Sequence, residues 1–159
     1  MFARTFVMLK PDAVQRGLIG DIIKRFENAG LKIVGMKMVW ISKELSRKHY
    51  VEHVGKPFYK GLETFITEGP VISMAVEGLH AIEVVRKIIG GTEPKSAMPG
   101  TIRGDFAHHS YEYTNAKDIA VKNLIHASGN PLDAKRELEL WFTKKELYNY
   151  TTVHEKHVF

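Results

Sequence analysis

The apolar positions begin with a short unbroken run, RTFVML over residues 4–9, which predicts a buried strand. Lys10, Pro11 and Asp12 stop it. From Leu18 the spacing becomes helical. Leu18, Ile22, Phe26 and Ala29 share one stripe, and Gly30 stands where a helix commonly ends. Residues 31–41, LKIVGMKMVWI, alternate, but the phase slips at Gly35: Leu31 and Ile33 are apolar before it, Met36, Met38 and Trp40 after it. A strand with a bulge at Gly35 accounts for that slip. Ser42 then reads as the N-cap of a helix over SKELSRKHY. GKP breaks the chain, and FYKGLETFITEG predicts a second short helix ending at Gly69. PVISMAVEG (70–78) is a strand with proline at its first residue, where proline is tolerated. LHAIEVVRKIIGG is a helix with stripe Ile82, Val85 and Ile89, closed by Gly90 and Gly91.

Residues 90–118 lose periodicity and predict a long loop, which in a compact domain is usually functional or disordered. IAVKNLIHA (119–127) predicts the fourth strand. The last helix, NPLDAKRELELWF, has a well-written start: Asn130 as cap, Pro131 at the first helical position, Asp133 in the first turn. The order is βαββαβ with a helical pair inserted after the second strand. That predicts an α+β fold, an antiparallel-containing sheet with helices on one face.

Composition narrows the function classes. With 159 residues and neither repeat nor linker, the chain reads as one domain over 1–159. It is 44% hydrophobic and 26% charged, ordinary for a globular protein. No apolar run approaches the ~20 residues of a membrane-spanning helix, so no membrane partner is expected. The opening MFARTFVMLKPD turns polar too quickly for a signal peptide. The absence of cysteine excludes disulfides and thiolate metal sites and fits a reducing compartment, with a cytoplasmic location the expectation. The net charge of +5 suits nucleic acid or a small polyanion such as a nucleotide. The lysines and arginines are scattered, which makes nucleic acid the weaker reading.

Among candidate motifs, GGTEPKS (90–96) half resembles a P-loop, but Pro94 occupies the glycine position before the lysine and the segment follows a helix. HYVEH spaces His49 and His53 four apart, yet Tyr50 holds the place of the zincin glutamate. HEKH at 154–157 and the adjacent His108 and His109 read, like His49 and His53, as solvated histidines. More telling are polar groups at element ends: Lys10 closing the first strand, Arg86 on the helix after the third, Thr92 and Arg103 in the long loop, Asn123 and His126 closing the fourth strand. Together they form an anion-binding set with one nucleophile. A histidine accepts a phosphoryl group only while neutral with one nitrogen free, and a partner must hold the other. Glu137, eleven residues on, is the candidate partner.

KPDAVQRGLIGDIIKRFENAG, HYVEHVGKPFYKGL, GPVISMAVEG, PGTIRGDF and NLIHAS together resemble the nucleoside diphosphate kinases, from about Arg4 to Phe142. The resemblance implies a ferredoxin-like four-stranded antiparallel sheet. It also implies transfer of the γ-phosphate of a nucleoside triphosphate to a nucleoside diphosphate, in ping-pong fashion, through a phosphohistidine at His126. It further implies that Asn123 and Lys10 hold the ribose 3′-hydroxyl and that Arg86, Thr92 and Arg103 bind phosphates. Tyr50 would approach the histidine from the side, Glu137 orient its ring, and Ser128 bond to Glu137. Phe58 and Leu62 would meet a base that is stacked and hardly hydrogen-bonded. Mg²⁺ would be held mainly by the phosphates, so no metal-ligating residues are expected. The family forms hexamers, the favoured expectation here, or tetramers built on a shared dimer.

Two departures stand out. Gly129 occupies the aspartate position of the family's His-x-Ser-Asp, with the helix start at Asn130 and Pro131 intact. The stretch from Phe106 to Asn123 is longer than in common members. Within it His108 and Tyr111 read as solvent-exposed, and no residue is assigned to the outer face of the base. Ferredoxin-like sheets also carry RNA-recognition modules, but those need aromatic residues on the sheet face, and these strands carry Met, Ile, Val and Ala. A catalytically dead relative used for assembly is countered by the intact Lys10, Asn123 and His126. The tail YNYTTVHEKHVF is expected to fray or to pack on a neighbour.

Overall fold

In the computed structural model, which describes residues 1–153 and 155–158, four antiparallel strands lie in the order β2-β3-β1-β4. They are β1 (Phe2–Leu9), β2 (Lys32–Trp40), β3 (Pro70–Leu79) and β4 (Ile125–Ala127). This is the expected antiparallel α+β sheet. The register of β2 on β3 shifts between Ile33 and Gly35, as the phase slip in the sequence predicts. A β-carbon at Gly35 would stand 2.9 Å from the Glu146 carbonyl oxygen, so only glycine admits the crossing chain.

Helices cover both faces of the sheet, not one. Val7 and Leu9 of β1 pack toward α2 (Ile19–Asn28) and α5 (Ala81–Ile89). Phe6 and Met8 pack the other way, toward residues of α3 (Lys43–His49), α4 (Tyr59–Ile66) and α8 (Pro131–Trp141). A strand buried on both faces has no solvent side on which to alternate, which is why RTFVML reads as an unbroken run.

Short helices account for most of the other differences. Pro11 does not merely end β1 but opens α1 (Pro11–Gln15), with Lys10 as its extended N-cap residue. The predicted loop 90–118 contains a 3-10 turn at Pro94–Ser96, α6 (Ile102–Phe106) and α7 (Tyr111–Lys117). Hydroxyl caps start both helices: Thr101 Oγ1 accepts from Gly104 N–H and Ser110 Oγ from Tyr113 N–H. The fourth strand covers 125–127, not 119–127. Leu124 just before it is left-handed, with φ 70°, and cannot continue a ladder.

The tail packs on its own chain. Tyr148 N–H donates to Val34 O at 2.7 Å, and the Tyr150 hydroxyl to Ile33 O at 2.7 Å. Lys32 Nζ donates to Tyr150 O at 2.7 Å and to Glu155 Oε1 at 3.0 Å. A last helical turn, α9 (Glu155–Val158), follows. His154 of the HEKH motif lies outside the described residues.

Candidate functional site

The polar residues singled out in the sequence converge on one cleft of about 870 Å³ at the β1 and β4 ends of the sheet. Lys10, Tyr50, Phe58, Leu62, Arg86, Thr92, Arg103, Asn123, His126 and Glu137 all line it. Ser128 does not; it is fully buried behind Glu137.

At the centre, the His126 side chain is 23% exposed. Its Nε2 lies 3.0 Å from Glu137 Oε1, and the Ser128 hydroxyl donates to Glu137 Oε2 at 2.6 Å. Glu137 is no solvated helix carboxylate: it shares the buried face of α8 with Ala134 and Trp141, at the helical spacing i, i+3, i+7. An ionised carboxylate can only accept, so the ring proton of a neutral His126 resides on Nε2 and the lone pair on Nδ1. Phe6 packs behind, its ring 6.1 Å from that of His126 and 5.1 Å from that of Trp141.

One neighbour was misread from sequence. His49 is buried rather than solvated, with its ring edge-on to His126 at 4.6 Å. Trp141 Nε1–H donates to His49 Nδ1 at 3.2 Å, which fixes the remaining proton on Nε2. Burial, with the nearby His126, Arg136 and Lys10, holds the His49 pKa well below the ordinary histidine value, so the ring stays neutral. His49, His126 and Glu137 offer ligand atoms within 4.8 Å of one another. Glu137 engages His126 Nε2 and Trp141 engages His49 Nδ1, while His49 Nε2 is buried without a partner among the described residues; the nitrogens nearest Glu137 are thus already taken up in hydrogen bonds.

The segment before His126 is braced from three sides. Lys10 N–H donates to Leu124 O at 2.8 Å, and Leu124 N–H donates to Asp12 Oδ2 at 3.0 Å. Arg103 donates from Nε to Asn123 O (3.2 Å), from one terminal nitrogen to Gly90 O (3.1 Å) and from the other to Ile125 O (2.6 Å). These bonds hold the buried, left-handed Leu124, a conformation that costs a non-glycine residue about 1–3 kcal/mol. Arg103 therefore has a structural task besides any phosphate contact, and two of its five N–H groups remain for a ligand.

The cations are graded by burial. Lys10 Nζ donates to Asn123 Oδ1 at 2.7 Å, and Asn123 Nδ2 donates to Thr92 O at 2.9 Å. Burial, then Arg103, pull the Lys10 pKa down to about 8 against the opposing pull of Asp12. Burial likewise takes Arg103 to about 10, still charged at neutral pH. Arg86 is exposed, with no hydrogen-bond partner among the described residues, and faces the same cleft. Burial raises the Tyr50 phenol above its usual value. Its hydroxyl has no partner among the described residues, and its ring stands edge-on to His126 at 6.1 Å.

At the opposite end Phe58 is 54% exposed, touched by the His53 ring at 5.5 Å, with Leu62 one turn on. Asn130 caps α8 by accepting from Asp133 N–H at 2.9 Å, so the helix start survives the Gly129 replacement. A β-carbon at Gly129 would stand 3.0 Å from Asp133 Oδ2. His108 is exposed, as expected. Tyr111 is 43% exposed but also lines the cleft.

The arrangement suits phosphoryl chemistry: one oriented imidazole nitrogen among three cationic side chains, with an apolar slot beyond. Known proteins agree. The family model for nucleoside diphosphate kinase matches residues 3–147. The nucleoside diphosphate kinase of Pyrococcus furiosus is 56% identical over 149 residues, covering 92% of this chain and 87% of its own. A solved structure of the Borrelia burgdorferi nucleoside-diphosphate kinase, a transition-state mimic with bound vanadate and ADP, superposes with TM-score 0.94 at 46% identity, covering 98% of this chain and 96% of its own. The Halobacterium salinarum enzyme in complex with CDP gives TM-score 0.89 at 44% identity, covering 100% and 99%. This chain belongs to the nucleoside diphosphate kinase family.

Proposed function

We propose that the enzyme, a kinase that moves phosphate between nucleotides, does so through His126 Nδ1. The observation that carries this is the Nε2–Glu137 hydrogen bond, which leaves the opposite nitrogen with its lone pair. In the first half-reaction a P–N bond forms as the bond between the γ-phosphorus and the bridging oxygen breaks. The nucleoside diphosphate leaves with that oxygen. In the second half-reaction a terminal oxygen of another nucleoside diphosphate attacks the phosphorus and frees the imidazole. One site serves donor and acceptor in turn. Glu137 steadies the positive charge that grows on the ring. Lys10, Arg86 and Arg103, with the Thr92 turn, neutralise phosphate charge where it builds up. Tyr50 donates from the side, and Lys10 with Asn123 meets the ribose hydroxyl. The base stacks on Phe58 against Leu62, an interaction every base offers.

A divalent cation completes the phosphate charge, and we read it as Mg²⁺. The protein side chains nearest the phosphates are cationic, and a hard cation takes oxygen ligands, so the residues fit an ion brought and held by the nucleotide's own phosphates. When bound, it neutralises charge on the transferring group.

We also infer a homo-oligomer, a hexamer in preference to a tetramer. Met36, Met38 and Trp40 leave an apolar row 56–65% exposed on β2, an edge strand of the sheet. Light scattering of the purified protein reads the number of subunits. No helix among the described residues is long and apolar enough to cross a membrane. A kinase of nucleotide pools belongs where those pools are, and we assign it to the cytoplasm on that ground. The central test is incubation with γ-labelled ATP alone. An acid-labile, alkali-stable phosphate on His126 supports the reading, and label on any other residue overturns it.

A further inference from the structure

The residues of α7 that line the cleft are Tyr111, Thr114, Asn115 and Asp118 at its C-cap, spaced i, i+3, i+4 and i+7. That spacing is one helix face, so a whole side of α7 is turned toward the cleft. The helix runs lengthwise along it. At the start of α7, Tyr111 N–H donates to Glu93 Oε1 at 2.8 Å, just past Thr92, and Tyr111 lines the cleft together with Arg103. That is the phosphate end. Beyond the C-terminus, residues 118–120 pack on α4: a β-carbon at Gly61 would meet Ala120 N at 3.6 Å and Asp118 O at 4.0 Å. Gly61 lies between Phe58 and Leu62, so that is the base end.

The helix is held at both ends. Lys95 N–H donates to His109 O at 3.1 Å, and Lys122 N–H donates to His109 Nδ1 at 3.2 Å. Beyond the last turn, Ile119 N–H donates to Thr114 O at 3.1 Å, with Asp118 left-handed. The Asn115 side chain, one turn before the base end, is exposed and has no hydrogen-bond partner among the described residues.

We propose that α7 is the outer wall of the base slot and that Asn115 reads the polar edge of a purine lying there. This rests on the nucleotide reading of the cleft. A carboxamide both donates and accepts, which matches the adjacent N7 acceptor and N6 amino donor of adenine. Guanine offers acceptors at both places and satisfies the amide only in part. Pyrimidines lack the second ring and do not reach across the slot. The inserted segment thus adds a base preference to a site whose stacking surface accepts every base.

The test measures kcat/KM for adenine and uracil nucleotides as phosphate donors, together with His126 labelling from each. In Asn115→Ala the adenine-to-uracil ratio falls roughly three- to tenfold, the span of one lost hydrogen bond between neutral groups. Asn115→Asp, which keeps the shape but cannot donate to N7, also lowers the ratio. Thermal melting confirms that both variants are folded. A ratio unchanged in both variants, with His126 still labelled, overturns the proposal and leaves the nucleotide reading standing. Wild-type protein labelled by neither nucleotide overturns both.

Discussion

At the end of the cleft that we assign to the phosphates, Arg103 gives three hydrogen bonds to backbone carbonyls, Lys10 and Asn123 are buried against each other, and His126 is held by a carboxylate that Ser128 holds in turn. At the end that we assign to the base, Phe58 is more than half exposed and Asn115 stands without a partner among the described residues. The first end is a network in which each group fixes the next; the second is a surface. Phosphoryl transfer gains from positioned charge and loses steeply when a group shifts by an ångström, so its end must be over-determined. A kinase that serves several nucleotides gains little from a rigid grip on the base. The contrast predicts large effects from changes at one end and small ones at the other.

The sharpest break is His126→Ala, which removes the phosphoenzyme and lowers turnover by more than ~10⁴-fold in a coupled nucleotide assay. Glu137→Gln comes next. Its amide can donate to Nε2 and so favour the tautomer with the proton on Nδ1. Wrong-tautomer changes behind a catalytic histidine cost up to about 10⁴-fold, and we expect roughly 10³-fold in the rate of His126 labelling with little change in KM. A loss under tenfold would mean the ring needs no such support.

Lys10 gives a pH signature of about tenfold per pH unit. Its pKa near 8 in the free protein rises when polyphosphate binds, so binding takes up a proton. Nucleotide KM therefore increases as pH climbs through about 8, and Lys10→Arg flattens the rise. Stability of the nucleotide-free protein moves the other way. The unfolded lysine, at 10.5, binds more protons than the folded one between about 8 and 10.5, so the Lys10 contribution to stability grows with pH in that window. Thermal melts with and without nucleotide separate the two signs.

The base end should respond least. Phe58→Ala raises KM about tenfold for all bases, the range of one lost stacking partner, with kcat nearly intact. If it costs as much as Glu137→Gln, the contrast fails. Gly129→Asp puts a carboxylate beside Asp133 and lowers stability by under about 1 kcal/mol, read by denaturant titration.

How legible each part was follows from what fixes it. The long helices and the Gly35 bulge are written in periodicity. Lys10, Asn123 and His126 stand at element ends, where a sequence reading looks for chemistry. The helices α1, α6 and α7 are too short to show a stripe, and only their caps, such as Ser110, leave a trace. His49 shares a surface-like spacing with His53, and its burial depends on Trp141 arriving from a helix 92 positions away. Nothing in a leucine announces a left-handed backbone; Leu124 adopts it because Asp12 and Lys10 hold its own N–H and carbonyl and Arg103 holds the carbonyls of its neighbours. Gly61 signals a close approach only once residues 118–120, just beyond α7, are seen lying against it.

The bracing of Leu124 has a consequence for how the enzyme comes into being. Its supports are at residues 10, 12 and 103, and the carboxylate behind His126 arrives only with α8. Such contacts between distant parts of the chain close late, after long loops have been tied. A chain emerging from the ribosome can complete its sheet, yet it has a wandering imidazole until the last long helix docks. Catalytic competence is therefore a late marker of folding, and during refolding the return of phosphate uptake should trail the return of secondary structure.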